Sequence, residues 1–124
     1  MAWQAKFNPE LKIIELTYTG TITPADLEEA YMASAELATQ AGTAKFLADC
    51  SEMIGGSYLL TDLYNLIAKF EESRGAYVIK EALILPISTA PREDVKFYET
   101  ACMNRGFNMK VFSTVEDALV WLLS

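Results

Sequence analysis

The chain has no histidine, and its two cysteines, Cys50 and Cys102, stand far apart and outside any C-x-x-C spacing. Serine–histidine and cysteine–histidine nucleophile pairs therefore cannot be assembled within one copy of the chain, nor can a zinc site of the histidine/cysteine type. Set among apolar neighbours, the two cysteines read as small buried hydrophobes rather than as a disulfide. Basic charge is also short: 10 lysines and arginines face 17 aspartates and glutamates, a net charge of −7. Such a chain on average repels phosphate backbones and anionic bilayer surfaces, so nucleic acid is not an expected partner. Long apolar runs are missing too. The longest, Ala82 to Ile87 and Leu119 to Leu123, fall far short of the roughly 20 residues of a membrane span. Met1 to Lys6 holds no apolar core of signal-peptide length, and the expected location is the cytoplasm.

What is present is enough apolar material for one core: 124 residues at 52% hydrophobic, read as a single α/β domain over 1–124. Trp3, Ala5 and Phe7 alternate with polar neighbours, as do Ile14, Leu16 and Tyr18, with Asn8-Pro9-Glu10 between. This predicts an opening β-hairpin. Thr23-Pro24-Ala25-Asp26 supplies an N-cap, a first-position proline and an acid for a helix ending near Gly42. Lys45 to Cys50 reads as a buried central strand, followed by a loop through Gly55-Gly56 and a second helix carrying Leu59 to Phe70. Glu71 to Glu81 is less periodic and reads as a connection. Ala82 to Leu85 is the next strand, Thr89-Ala90-Pro91 starts a third helix that Gly106 ends, and Phe107 to Phe112 is the last strand. Ser113-Thr114-Val115-Glu116 reads as the capping box of a final helix. The order ββαβαβαβα implies a mixed sheet of about five strands, an antiparallel hairpin followed by parallel strands, covered by helices.

The residues Trp3, Phe7, Pro9 to Leu11, Ile13 to Glu15, Tyr18, Gly20 to Thr23, Lys45 to Leu47, Asp49, Gly55-Gly56, Arg92 to Asp94, Phe97, Glu99, Arg105 and Gly106 follow the order of a known family. Over nearly its whole length the chain resembles a SpoIIAA-like protein of the STAS superfamily, the sulphate-transporter and anti-sigma-factor-antagonist domains. The resemblance implies a SpoIIAA-like fold and a non-catalytic regulatory or protein-interaction module. In anti-sigma antagonists a loop after a central strand carries Asp-Ser-(Ser/Thr)-Gly, whose phosphorylated serine switches partner binding. Ser57 falls beside that position here, with Gly56 and Tyr58 in place of the flanking Asp and Gly. More distant members, which resemble lipid-carrying domains of the Sec14 type, imply an apolar ligand held between sheet and helices instead.

Each candidate site carries two readings. Ser57, at a predicted helix N-terminus, suits a phosphate stabilised by free N–H groups, or a plain N-cap. Gly55 and Gly56 suit either a backbone nest for an anion or ordinary loop geometry. Asp49, near the carboxyl end of a predicted parallel strand, could hold a cation or a polar head group together with Ser51 and Glu52, or could cap a loop. The second helix spreads its apolar positions over an arc of roughly 160°, wider than one buried stripe requires. Leu60, Tyr64, Ile67, Met53 and Ile54 are thus candidates for a pocket wall or partner face, against deep core packing. Docking is expected across the Asp49 to Tyr64 region, Tyr58 included. Arg92 and Arg105 are candidates to converge on an anion, Glu93 and Asp94 to face the third helix's dipole, and Glu28-Glu29 and Glu71-Glu72 to be solvated faces. No catalytic residue, metal site or cofactor is assigned. The expected partner is a protein, a second copy of the chain, or an apolar small molecule.

Overall fold

The computed structural model describes residues 2–56, 60–72 and 79–124. The hairpin pairs β1 (Trp3–Asn8) with β2 (Ile13–Ile22), Trp3 opposite Tyr18 and Asn8 opposite Ile13. Its turn is made locally. The Asn8 side chain accepts from the backbone N–H groups of Glu10 and Leu11 at 3.0 and 3.1 Å, the use to which asparagine is suited in turns, and Lys12 takes the left-handed conformation at φ +57°. Helix α1 (Pro24–Ala41) begins at a reciprocal capping box: Thr23 Oγ1 accepts from the Asp26 N–H at 3.1 Å and the Asp26 carboxylate accepts from the Thr23 N–H at 2.9 Å. Gly42 at φ +68° closes it, a conformation that costs glycine little.

The chain continues through β3 (Lys45–Gly56), α2 (Leu60–Glu72), β4 (Lys80–Ile84), α3 (Thr89–Met103), β5 (Asn108–Phe112) and α4 (Val115–Leu122). The five strands lie in sequence order, β1 antiparallel to β2 and the rest parallel. Element order and mixed sheet are those the sequence predicts. Three boundaries differ. β3 does not stop at Cys50 but runs on beside β2, with Glu52 level with Thr19 and Gly56 level with Ile22, so Gly55 and Gly56 belong to a strand rather than a loop. The register slips twice along this stretch, which is how a strand absorbs residues whose types signal a turn. β4 begins at Lys80, which moves Glu81 from a connection into the sheet. α3 begins at Thr89 as predicted, but this puts Glu93 and Asp94 beyond the first turn, where the dipole's effect has faded. α4 is capped by Thr114, whose side chain accepts from the Asp117 N–H at 3.2 Å, one residue later than the predicted Ser113 box.

Parallel crossovers adopt a right-handed path, so three of them stepping the same way across a sheet place α1, α2 and α3 on one face. The buried residues follow this division. Ala30 of α1, Ile67 of α2, and Val95 and Cys102 of α3 cluster with Leu16, Ala48 and Leu83 of the sheet. On the other face, Ala118 and Leu122 of α4 cluster with Ile13, Leu47, Ala82 and Ile84. The backbones of α1 and α3 lie close along the strands, whereas that of α2 neighbours α1 and α3 rather than the sheet. α2 is therefore a roof carried by two walls, and this arrangement creates the site.

Candidate functional site

Beneath α2 the structure holds a cavity of about 460 Å³, half open to solvent, within the size range of small-molecule sites. Its floor is the sheet, through Leu16 and Tyr18 of β2, Phe46, Ala48, Cys50 and Met53 of β3, and Glu81 and Leu83 of β4. Tyr31 and Ala35 of α1 form one wall, Val95 and Tyr98 of α3 the other, and Leu63, Leu66 and Phe70 of α2 the roof. Most of this lining is aliphatic or aromatic carbon. Edge-to-face contact between Tyr31 and Phe70, centroids 4.9 Å apart, ties the first wall to the roof.

The register shows why one acid enters this space. Glu81 lies level with Phe46 of β3 and Met109 of β5, and neighbouring residues of parallel strands in register point to the same face. The side chain is 7% exposed and lines the cavity. Burial, which penalises the charged form, raises its pKa to about 7. Among the described residues no group donates a hydrogen bond to its carboxylate.

The surrounding groups respond to the same environment. Burial first pushes up the Tyr18 phenol and the Cys50 thiol, and the Glu81 charge adds to both, after the Cys50 contribution in the case of Tyr18. The Tyr98 phenol is also raised, first by burial, and shares a hydrogen bond with Cys102, whose thiol burial pushes up to about 12. Both cysteines are free, buried thiols, poor nucleophiles in that state. Other polar groups of the lining are satisfied locally: Tyr31 donates to the Lys69 carbonyl at 3.4 Å and Ser34 to the Tyr31 carbonyl at 2.9 Å.

The residues singled out from the sequence distribute differently. Met53 is buried and lines the cavity, and Ile67 is fully buried in the core beside it. Leu60 and Tyr64, 53% and 45% exposed, lie on the outer surface of α2, and Ile54 at 70% is exposed on β3. Asp49 is level with Ile84, on the face that α4 covers, and is therefore turned away from the cavity. Its carboxylate accepts from the Ser51 N–H and hydroxyl at 3.0 and 2.7 Å. Gly55 and Gly56 lie at the end of β3, while Ser57 and Tyr58 fall outside the described residues. No group of three metal-ligating side chains occurs among the described residues.

The two arginines do not converge. Arg92 donates to the Pro86 carbonyl at 3.4 Å near the start of α3. Arg105, beyond the other end, pairs with Glu71 at 3.1 Å and stacks over the Tyr64 ring. Glu28 pairs with Lys69, tying α1 to α2. Sequence reasoning missed Glu81 altogether. The one signal available was an acid directly preceding an apolar strand, a position also consistent with a solvated edge.

No family model and no curated protein matches the chain. Solved structures do. A DUF3478-family protein with a SpoIIAA-like fold from Shewanella loihica PV-4 is 23% identical, with a TM-score of 0.56 over 98% of this chain and 92% of its own. The anti-sigma factor antagonist SpoIIAA in its unphosphorylated form is 13% identical, with a TM-score of 0.59 over 97% of this chain and 96% of its own. At such identities the likeness concerns architecture: the chain has the SpoIIAA-like fold.

Proposed function

We propose that this chain is a non-catalytic regulatory module that senses an apolar small molecule, with the cavity beneath α2 as its input and the outer surface of α2 as its output. The cavity carries the reading. A half-open concavity of this size leaves apolar surface in contact with water that an apolar occupant would cover, and a fold that keeps one, lined by carbon and roofed by a helix standing off the sheet, is suited to hold a small molecule. Occupancy would bias the position of α2, the element least anchored to the strands, by as much as the ligand prefers one position over another. The fold shared with an anti-sigma factor antagonist supports a module that acts through binding. The raised thiol and phenol pKa values support a site without a nucleophile.

The test uses the neutral fluorophore N-phenyl-1-naphthylamine, which brightens in apolar surroundings. Saturable binding near one per chain is expected, together with its loss in Ala35→Trp, a variant that fills the cavity from α1 while leaving the sheet intact. Native mass spectrometry with organic extraction of the purified protein would then identify a natural occupant. Absence of fluorophore binding by the folded protein would refute the sensor reading.

A second reading is favoured by a separate observation. Leu60 and Tyr64, exposed apolar side chains one helical turn apart on α2, suit direct docking of a protein partner with no ligand involved. A partner interaction lost in Leu60→Ser/Tyr64→Ser and indifferent to Ala35→Trp would support it.

A further inference from the structure

Glu81 sets the chemistry of whatever enters. Its carboxyl group is buried in carbon, faces a space large enough for a ligand, and receives no hydrogen bond from the described residues. A buried acid is ordinarily paired or hydrogen-bonded, since leaving it bare costs free energy. Among the described residues the lining holds no lysine or arginine. Two cations of the described residues near the site are engaged elsewhere: Arg105 with Glu71, and Lys69 with Glu28. An anionic head group seated on Glu81 would meet a carboxylate, with no lysine or arginine among the described lining residues to offset it. The phenol rings of Tyr18, Tyr31 and Tyr98 border the same space, and aromatic faces attract cations.

We propose that the cavity takes an amphiphile with a protonated amine head and an apolar body, the ammonium group seated on the Glu81 carboxylate and the body under α2. The assignment rests on the reading of the cavity as a small-molecule site and adds the class of molecule. It makes binding proton-linked. The ammonium requires the ionised carboxylate, so affinity rises with pH through the titration of Glu81 near 7. The other titratable groups facing it are Tyr18 on β2, Cys50 on β3, and Asp94, Tyr98 and Cys102 on α3, with Tyr31 across the cavity on α1. The phenols and thiols among them are all raised and remain neutral through this range.

The experiment displaces N-phenyl-1-naphthylamine with decylamine, decan-1-ol and decanoate, three heads on one chain, at pH 6 and pH 8. Decylamine is expected to outcompete decan-1-ol at pH 8 and decanoate to be the weakest. From pH 8 to pH 6 the affinity for decylamine should fall about tenfold, following the ionised fraction of Glu81, while that for decan-1-ol holds. Glu81→Gln should bind decan-1-ol as before and lose both the preference for the amine and its pH dependence. Glu81→Leu, which removes hydrogen bonding as well, should do the same. A preference for decanoate, or an amine preference that survives both variants, would overturn the assignment while leaving the cavity reading intact. Failure of the fluorophore and decan-1-ol to bind at all would overturn both.

Discussion

Burying an ionisable acid in carbon makes fold stability depend on pH in a direction opposite to that of most carboxylates. The Glu81 pKa is raised from 4.5 to about 7 by burial. The folded chain therefore binds a proton more tightly than the unfolded chain, and between those two values it carries more protons. Stability from this group is fully present below pH 4.5 and is lost as pH rises to about 7. At 1.36 kcal/mol per tenfold change in proton affinity, the loss amounts to about 3 kcal/mol above pH 7. That is a large share of the roughly 5–15 kcal/mol by which domains are stable. Glu81→Gln keeps the shape and removes the charge. Its melting temperature should exceed that of the native chain by about 10 °C at pH 8 and match it closely at pH 4.5. Urea denaturation followed by circular dichroism across that range reads the same quantity as a gap in midpoint that opens with pH while the slope stays fixed. The phenols of Tyr18 and Tyr98 and the two thiols, all shifted upward, contribute nothing within this window. A gap that does not change between pH 4.5 and pH 8 would refute the claim that Glu81 is buried as an unpaired acid, and with it the basis for an ammonium ligand.

Three further outcomes follow from local geometry. Thr23→Ala removes the acceptor of the α1 capping box and should cost about 1 kcal/mol, seen as a lower urea midpoint; an unchanged midpoint would show that the box adds nothing to stability. Lys12→Gly relieves a left-handed conformation while keeping the bonds its backbone makes to Asn8 and Thr43, and should stabilise the hairpin by about 0.5–1 kcal/mol, where destabilisation would contradict the turn geometry. Cys50 and Cys102 should resist a thiol reagent such as dithionitrobenzoate in the native protein at pH 8 and both react in urea, since burial keeps them protonated and covered; rapid labelling of the native protein would place them elsewhere.

The parts of the fold legible in the sequence are those fixed by local periodicity and punctuation. Alternation in Trp3 to Phe7 and Ile14 to Tyr18 marks the hairpin, Thr23-Pro24-Asp26 marks where α1 starts, and Gly42 marks where it ends. Each works because the residue satisfies a need of its own few neighbours. Ser51 to Gly56 misleads for the converse reason: glycine and serine signal a turn, while the pairing that holds this segment in β3 comes from Thr19 to Ile22 of a strand far away in sequence. Long-range pairing overrides local preference in the same way at Glu81, whose type reads as solvated but whose register beside Phe46 and Met109 turns it inward.

The cavity itself has no sequence signature, because patterning encodes which face of each element is apolar and not how far apart two apolar faces stand. The wide apolar arc of α2 is satisfied twice over. Ile67 is fully buried in the core, Leu63, Leu66 and Phe70 border the cavity, and Leu60 and Tyr64 remain outside. Under the proposed sensor reading, a ligand beneath α2 would change the depth at which Leu66 and Phe70 sit, and that change would move Leu60 and Tyr64 with them. Glu81, held in the sheet, would not move in this way, so the proposed amine head would be read by the floor and its apolar body by the roof.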